Sequence, residues 1–386
     1  MPKCISLLYF IPSFGTGGTE RLVADLATHL DPDRFSVAVC VQQDGLFGQH
    51  LTRRGYPVHL LTDSCNASPS SAVRKLRALV GRVRCLRALI ARERIDIVHT
   101  HHLGPLLHAF LAGLGSRRWR WVHTEHIRPD VDTGYPGWLV RSAPWMFPSA
   151  GVVTGVSDAV GAYFREEARL DSPRVRVIYN GVDVDTFSGP YDGAAKRTDL
   201  GISPQDWVIG LVGSLRPQKN HQLLLRALAR ILPSVPEARL VLAGDGELRG
   251  SLEALAGELR IQDRVRFLGP RSDVPELLAT FDVYCLPSHY EGMPLTVFEA
   301  MAAGVPVVAT RVVGIQEVVR DRETGLLVPP NDPDALAQAL MQARWNPDLC
   351  QELSVAGRHY VNTHARLKDM VDQYAALYEQ VAPGTR

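Results

Sequence analysis

At 386 residues the chain is longer than one core of ordinary size requires and suits two domains of about 150 to 200 residues each. With 46% hydrophobic and 22% charged residues it has a globular composition, which excludes disordered and fibrous classes. The formal net charge of +1 is unevenly divided: 22 Lys and Arg stand against 17 Asp and Glu through residue 190, and 20 against 24 beyond it. That bias is too mild for a nucleic-acid binder.

No run reaches the ~18 to 20 apolar residues of a membrane helix; the nearest, Leu103 to Gly115, is short and carries His108. The opening segment MPKCISLLYFIPSFGTGG has no small-residue cleavage site and reads as a first buried strand running into a glycine loop. Six cysteines, Cys4, Cys40, Cys65, Cys85, Cys285 and Cys350, are scattered without a C-x-x-C pair. This favours reduced thiols in a cytosolic compartment and speaks against a cysteine zinc site.

Short apolar, β-branched runs recur along the chain. The first half holds ISLLYFI, FSVAVCV, PVHLL, DIVHT, WRWVHT, GVVTGV and RVRVIY; the second holds WVIGLVG, ARLVLAG, RVRFLG, DVYCLP, VPVVAT and GLLVP. Strands that are apolar nearly throughout and alternate with helical patterns imply parallel sheets covered on both faces. The expected fold is therefore α/β, with two doubly wound Rossmann-like domains facing a cleft. The joint is expected within Gly181 to Gly201, and the tail LKDMVDQYAALYEQV reads as an amphipathic helix. Ligands of such sheets sit beyond the carboxyl ends of the strands, so the loops there carry the candidate chemistry.

After the first strand, FGTGGTERLVADLA places Gly17 and Gly18 ahead of a helix, where backbone can approach a ligand closely. The spacing is G-x-G-G rather than G-x-G-x-x-G, and the second strand ends VQQ without the acidic residue of a dinucleotide fold. Residues 73 to 95 form an amphipathic helix with Val73, Leu76, Leu79, Val80, Val83, Leu86 and Ile90 on its apolar face. Arg74, Lys75, Arg77, Arg82, Arg84, Arg87, Arg92 and Arg94 stand on the other. It reads as a core-packed helix with a solvated face, or as one adhering to an anionic membrane surface.

Nine of the thirteen histidines precede residue 190. The pairs His99/His101 and His123/His126 end strands and are expected to face the cleft. His126 suits a hydrogen bond to a sugar hydroxyl or to charge developing at an anomeric carbon; His102 and His108 read as ordinary edge histidines. Two D-x-D triplets, Asp130 to Asp132 and Asp183 to Asp185, suggest either a metal-bound nucleotide or turns, and the second suits a turn.

In VGSLRPQKNHQLLLRAL, Arg216 and Lys219 lie in a strand-to-helix loop, where a desolvated pyrophosphate needs counter-charges. In EGMPLTVFEAMAAGVPVVAT, Pro294 suits the first helical position, and the loop before it offers backbone N–H groups and a positive helix end, an anion site. Glu299 is placed to accept both hydroxyls of a ribose, and Glu291 those of a sugar beyond the phosphates.

Together these segments resemble a family 4 glycosyltransferase of the GT-B fold over nearly the whole chain. EGMP followed by EAMAAGVPVVAT is similar to the family's E-x7-E signature, and GGTE, DIVHTH, HTEH, NGVD with Phe187, and AGDGE also match. The resemblance implies an acceptor-binding domain over 1–182, a nucleotide-sugar domain over 183–365, and a helix over 366–386 crossing back to the first. It implies a retaining hexosyltransferase without metal or other cofactor, in which Glu299 takes the ribose and Glu291 the donor sugar. Gly292, Met293, Pro294, Leu295 and Thr296 would take the phosphates, Arg216 and Lys219 would neutralise them, Gly17 and Gly18 would close on them, and His126 would contact the transferred sugar. The family has no agreed nucleophile, and the expected mechanism is front-face displacement with the leaving phosphate helping to deprotonate the acceptor.

The implied partners are a UDP- or GDP-sugar and a glycan or lipid-linked acceptor, in polysaccharide or glycoconjugate biosynthesis in the cytoplasm; the Arg-rich helix, not the resemblance, suggests peripheral contact at the inner face of an anionic membrane. One position departs from the pattern: the family's arginine after the glycine of its G-R-L segment is here Ser214, with Arg216 two residues on. A nonhydrolysing sugar-nucleotide epimerase and a catalytically silent nucleotide-binding protein of the same architecture remain as alternatives.

Overall fold

The structure, a computed structural model, describes residues 4–15, 17–62, 72–115, 119–131 and 134–383; Cys65 and Asp132 fall outside them. The chain divides into two compact units, 1–179 with 368–386, and 180–367.

In the first unit, β1 (Ile5–Ser13), β2 (Phe35–Gln43), β3 (Val58–Leu60), β4 (Ile97–His101), β5 (Arg120–Glu125), β6 (Val152–Gly155) and β7 (Val175–Val177) form one sheet. Its order is β3-β2-β1-β4-β5-β6-β7, and every pairing is parallel. The chain winds outward through α1 (Gly18–His29) and α2 (Leu46–Arg53). It returns through α3 (Ala72–Arg92) and continues the other way through α4 (Leu103–Gly113), α5 (Gly137–Met146) and α6 (Asp158–Glu166). Right-handed crossovers put these two sets of helices on opposite faces of the sheet. Under the second set, Leu8, Phe10, Cys40 and Val98 pack against Val83, Leu86, Leu89, Ile90 and Ala112. The strand order reverses between β1 and β4, so the glycine loop and His101–His102 emerge at the topological switch point.

The second unit begins with α7 (Val184–Phe187) and α8 (Gly193–Asp199). Then come β8 (Trp207–Val212), α9 (His221–Ile231), β9 (Ala238–Ala243), α10 (Arg249–Glu258), β10 (Val265–Gly269), α11 (Val274–Leu278) and β11 (Val283–Leu286). It closes with α12 (Leu295–Ala303), β12 (Val307–Thr310), β13 (Leu326–Val328), α13 (Pro333–Trp345) and α14 (Pro347–His364). The sheet order β10-β9-β8-β11-β12-β13 is again parallel throughout. Here the order reverses between β8 and β11, which places the VGSLRPQK and EGMP loops side by side.

The last helix, α15 (Leu367–Val381), packs on the first unit through buried Tyr374 and Tyr378. Tyr378 Oη lies 2.7 Å from His99 Nδ1 and donates to Tyr9 Oη at 3.1 Å.

Two local expectations are corrected. The apolar face assigned to the Arg-rich helix does not bury along its length: Val83, Leu86 and Ile90 enter the core, joined by Ala78 and Leu89, whereas Val73, Leu76 and Val80 are exposed. The stripe meets the core from Ala78 and Leu79 onward, while Val73 and Leu76 before them stay exposed. Pro294 is the residue before α12 rather than its first member, because its ψ of 107° is extended.

Candidate active site

On the second unit, the loops following β8 and β11 are zipped together. His289 N donates to Gln218 O at 2.8 Å, and Gln218 Nε2 reaches Tyr290 O at 3.1 Å. At the centre is the buried Glu291. Its Oε1 accepts from Lys219 Nζ at 2.7 Å and from Ser288 Oγ at 2.6 Å, and its Oε2 from Gln218 Nε2 at 3.2 Å. Behind the loop, Gly314 lies at φ 83°, and a Cβ there would stand 2.4 Å from Glu291 O. Only a glycine lets that strand of backbone pass. Asn180 holds the other side, its Nδ2 donating to Met293 O at 3.0 Å.

The start of α12 has first-turn N–H groups beyond the reach of intrahelical acceptors and the positive end of a helix dipole, although that of Val297 is taken by Pro294 O at 3.1 Å. Thr296, in that turn, is fixed by Tyr284, whose hydroxyl lies 2.8 Å from Thr296 Oγ1 and 3.2 Å from Val212 O. Burial, foremost, raises the Tyr284 phenol far above its ordinary value, so it stays protonated and serves as a neutral hydrogen-bonding group. Glu299, one turn on, is buried. Arg216 is exposed and Ser214 half-buried. The Arg216 side chain makes no hydrogen bond or ion pair among the described residues.

The sequence reading assigned Lys219 to phosphate and Glu291 to sugar, and the fold places the two against each other. Ser288 and Gln218 were not singled out. Their signal was present, since the loops after β8 and β11 must adjoin at a switch point, but Ser and Gln carry no distinctive spacing. Asp183, of the second D-x-D triplet, accepts from Thr186 N and Thr186 Oγ1 at 3.4 and 2.6 Å, capping α7. Asp130 pairs with Arg128 at 2.7 Å.

On the first unit, the expectation that both histidine pairs line an opening is corrected. His99 is fully buried beneath α15, between Tyr378 and Thr124 Oγ1 at 2.7 Å each. His123 points to the other face and stacks on Phe147 with centroids 5.5 Å apart. Residues alternate across a strand, so a pair on neighbouring strands does not share a face by virtue of ending them. His101 and His126 do meet, His101 Nδ1 lying 3.0 Å from His126 Nε2. Burial pushes His99, His101 and His126 well below the ordinary histidine value, so all three are neutral at pH 7. Between His101 and His126 one ring donates and the other accepts. Gly17 precedes α1 as its cap residue, and Gly18 begins the helix.

The buried pair Glu125 and His123 was not foreseen. Trp121 Nε1 donates to Thr100 Oγ1 at 2.9 Å, and Thr100 Oγ1 lies 2.9 Å from His123 Nδ1. On its other side His123 Nε2 donates to Glu125 Oε1 at 3.0 Å, since a carboxylate oxygen only accepts.

Two family models match the chain: Glycosyltransferase Family 4 over residues 16–186 and Glycosyl transferases group 1 over residues 193–360. The N-acetyl-alpha-D-glucosaminyl L-malate synthase of Bacillus anthracis is 31% identical over 296 residues, 75% of this chain and 76% of that protein. The UDP-Gal:alpha-D-GlcNAc-diphosphoundecaprenol alpha-1,3-galactosyltransferase of Escherichia coli is 29% identical, covering 92% of this chain and 93% of the other. Among solved structures, Anabaena Alr3699/HepE in complex with UDP-glucose superposes with a TM-score of 0.86 at 25% identity, over 97% of this chain and 100% of that one.

Proposed function

We propose, for a chain that belongs to glycosyltransferase family 4, a retaining, metal-independent hexosyl transfer from a UDP- or GDP-sugar to a glycan or lipid-linked acceptor in polysaccharide or glycoconjugate synthesis. The observation that carries this reading is the arrangement around α12. A buried carboxylate with three donors, Glu291, stands before the helix, and a second, Glu299, lies within it; between them is a helix start able to bind phosphate. Glu299 takes the ribose and Glu291 the donor sugar, with Gly292 to Thr296 on the phosphates. Arg216 and Lys219 supply charge to the diphosphate. Lys219 reaches it by sharing its three protons between Glu291 and a phosphate oxygen. Gly17, Gly18 and His126 serve the same transfer.

The solved relative binds UDP-glucose, and the E. coli relative is named for a UDP-sugar donor and a polyprenol-linked acceptor, which supports this choice of substrates. The test is a thermal-shift panel of UDP-, GDP- and ADP-sugars followed by product analysis. A donor at ~100 times its Kd raises stability by about 2.7 kcal/mol. An α-linked product from an α-linked donor, formed equally with and without EDTA, supports the reading; an inverted product or activity restored only by Mg²⁺ or Mn²⁺ overturns it. Turnover that epimerises the donor without an acceptor, or no turnover with any acceptor, supports the epimerase or the silent-protein alternative instead.

The acceptor side carries a feature consistent with a lipid-linked substrate. Helices α3, α4 and α5 lie side by side on one face of the first unit and contain Arg74, Lys75, Arg77, Arg82, Arg84, Arg87, Arg92 and Arg141 but no Asp or Glu. On α3, Val73 and Leu76 are each 62% exposed; on α5, Trp138 is 55% and Trp145 82% exposed. Trp138, Arg141 and Trp145 are spaced i, i+3, i+7, a single stripe. Exposed tryptophan and aliphatic groups on helices rich in Arg and free of Asp and Glu suit the interface of an anionic bilayer, the cytoplasmic leaflet in this reading. Co-sedimentation with phosphatidylglycerol vesicles is expected to exceed that with phosphatidylcholine vesicles and to fall in Trp138→Ser/Trp145→Ser; equal binding to both vesicles contradicts the membrane contact.

A further inference from the structure

His102, the residue before α4, has φ 68° and ψ 162°. That region of backbone space is populated essentially by glycine alone. The backbone is pinned there from two sides: His102 N donates to Thr124 O, and His102 O accepts from Leu106 N, both at 3.2 Å. These bonds use main-chain atoms only, so glycine would make them without strain, yet the position holds a side chain.

The ring accounts for it. His102 Nε2 lies 3.0 Å from Thr19 Oγ1, and Nδ1 lies 3.9 Å from Glu125 Oε2. The ring packs on that of His126 with centroids 4.9 Å apart. Since His123 donates to Glu125 Oε1, the free side of that carboxylate faces His102 and favours the tautomer with the proton on Nδ1. His102 Nε2 is then an acceptor, and Thr19 donates its hydroxyl proton to it. Thr19 directly follows Gly17 and Gly18. One strained residue thus ties the glycine turn, the buried Glu125 and the His126 ring together.

We infer that His102 is a positioning residue for glycosyl transfer, setting the Gly17–Gly18 turn through Thr19 and the His126 ring by direct packing. This rests on the reading that Gly17, Gly18 and His126 serve the transfer.

The test compares His102→Gly, His102→Asn, Thr19→Val and His126→Ala in the full chain, with melting temperature and steady-state kinetics on the donor. His102→Gly relieves the backbone and is expected to melt at or above the parent temperature while kcat falls at least tenfold, more than KM for the donor rises. His102→Asn, which tolerates positive φ and keeps a polar group, restores part of kcat. Thr19→Val lowers kcat alone and adds nothing in the His102→Gly background. A His102→Gly protein with raised melting temperature and unchanged kinetics, beside an impaired His126→Ala, overturns the inference and leaves the parent reading standing. An unimpaired His126→Ala overturns the parent reading itself.

Discussion

Lys219 Nζ lies 2.7 Å from Glu291 Oε1, an ion pair with 15% and 6% of the two side chains exposed. A pair so enclosed is worth most when seen by its loss: removing the cation leaves a buried carboxylate that Ser288 and Gln218 only partly satisfy. Lys219→Met is expected to lower unfolding stability by about 3 kcal/mol. Adding Glu291→Gln should recover part of that, giving a coupling above ~1 kcal/mol in a double-mutant cycle by urea unfolding. Additive losses would show that the pair is not an energetic unit.

The departure at Ser214 sets up a second outcome. A diphosphate stripped of water needs cationic donors, each contributing about 1.5 to 3 kcal/mol. Arg216 is exposed and unengaged among the described residues, hence available to turn onto a ligand. Arg216→Ala should lower kcat and raise KM together, since its benefit grows as the leaving group gains charge. Ser214→Ala should be mild, because a hydroxyl offers one neutral donor. Steady-state kinetics that find Arg216→Ala silent and Ser214→Ala crippling would end the idea that Arg216 compensates.

Stability should fall in mild acid. His99, His101 and His126 are held neutral by burial, their folded values lying well below the unfolded value near 6.5. Above about pH 6.5 neither state is protonated and nothing is lost. Below it only the unfolded chain takes up protons, so each histidine favours unfolding by about 1.4 kcal/mol per pH unit until its folded value is reached. The three act with the same sign, so stability falls more steeply below about pH 6.5 than any one of them would make it. A urea midpoint that stays flat from pH 7.5 to 5 would mean that these imidazoles titrate normally in the fold.

Much of this architecture was legible in the sequence, because parallel strands buried on both faces leave continuous apolar runs. All thirteen such runs became strands, and the glycine, Arg216–Lys219 and Glu291–Thr296 segments fall at the two switch points. What the sequence did not disclose has local causes. The apolar period of the Arg-rich helix continues through Val73 and Leu76, but periodicity does not reveal where the sheet beneath it ends. His99 and His123 differ in facing because strand alternation, not strand end, sets direction. The strain at His102 comes from a backbone trapped between β5 and α4, a tertiary constraint without a composition signal. Likewise Ser288 and Gln218 matter only because two loops distant in sequence converge on one carboxylate.

The central claim is that α12 holds the nucleotide sugar, with Glu299 on the ribose. It is tested most directly by isothermal titration of UDP- and GDP-sugars into the wild type and Glu299→Ala. Losing a buried partner to two hydroxyls costs roughly 1 to 3 kcal/mol, about 5- to 150-fold in Kd. The account predicts weakening in that range for whichever donor binds. Equal affinity in the two proteins would contradict it.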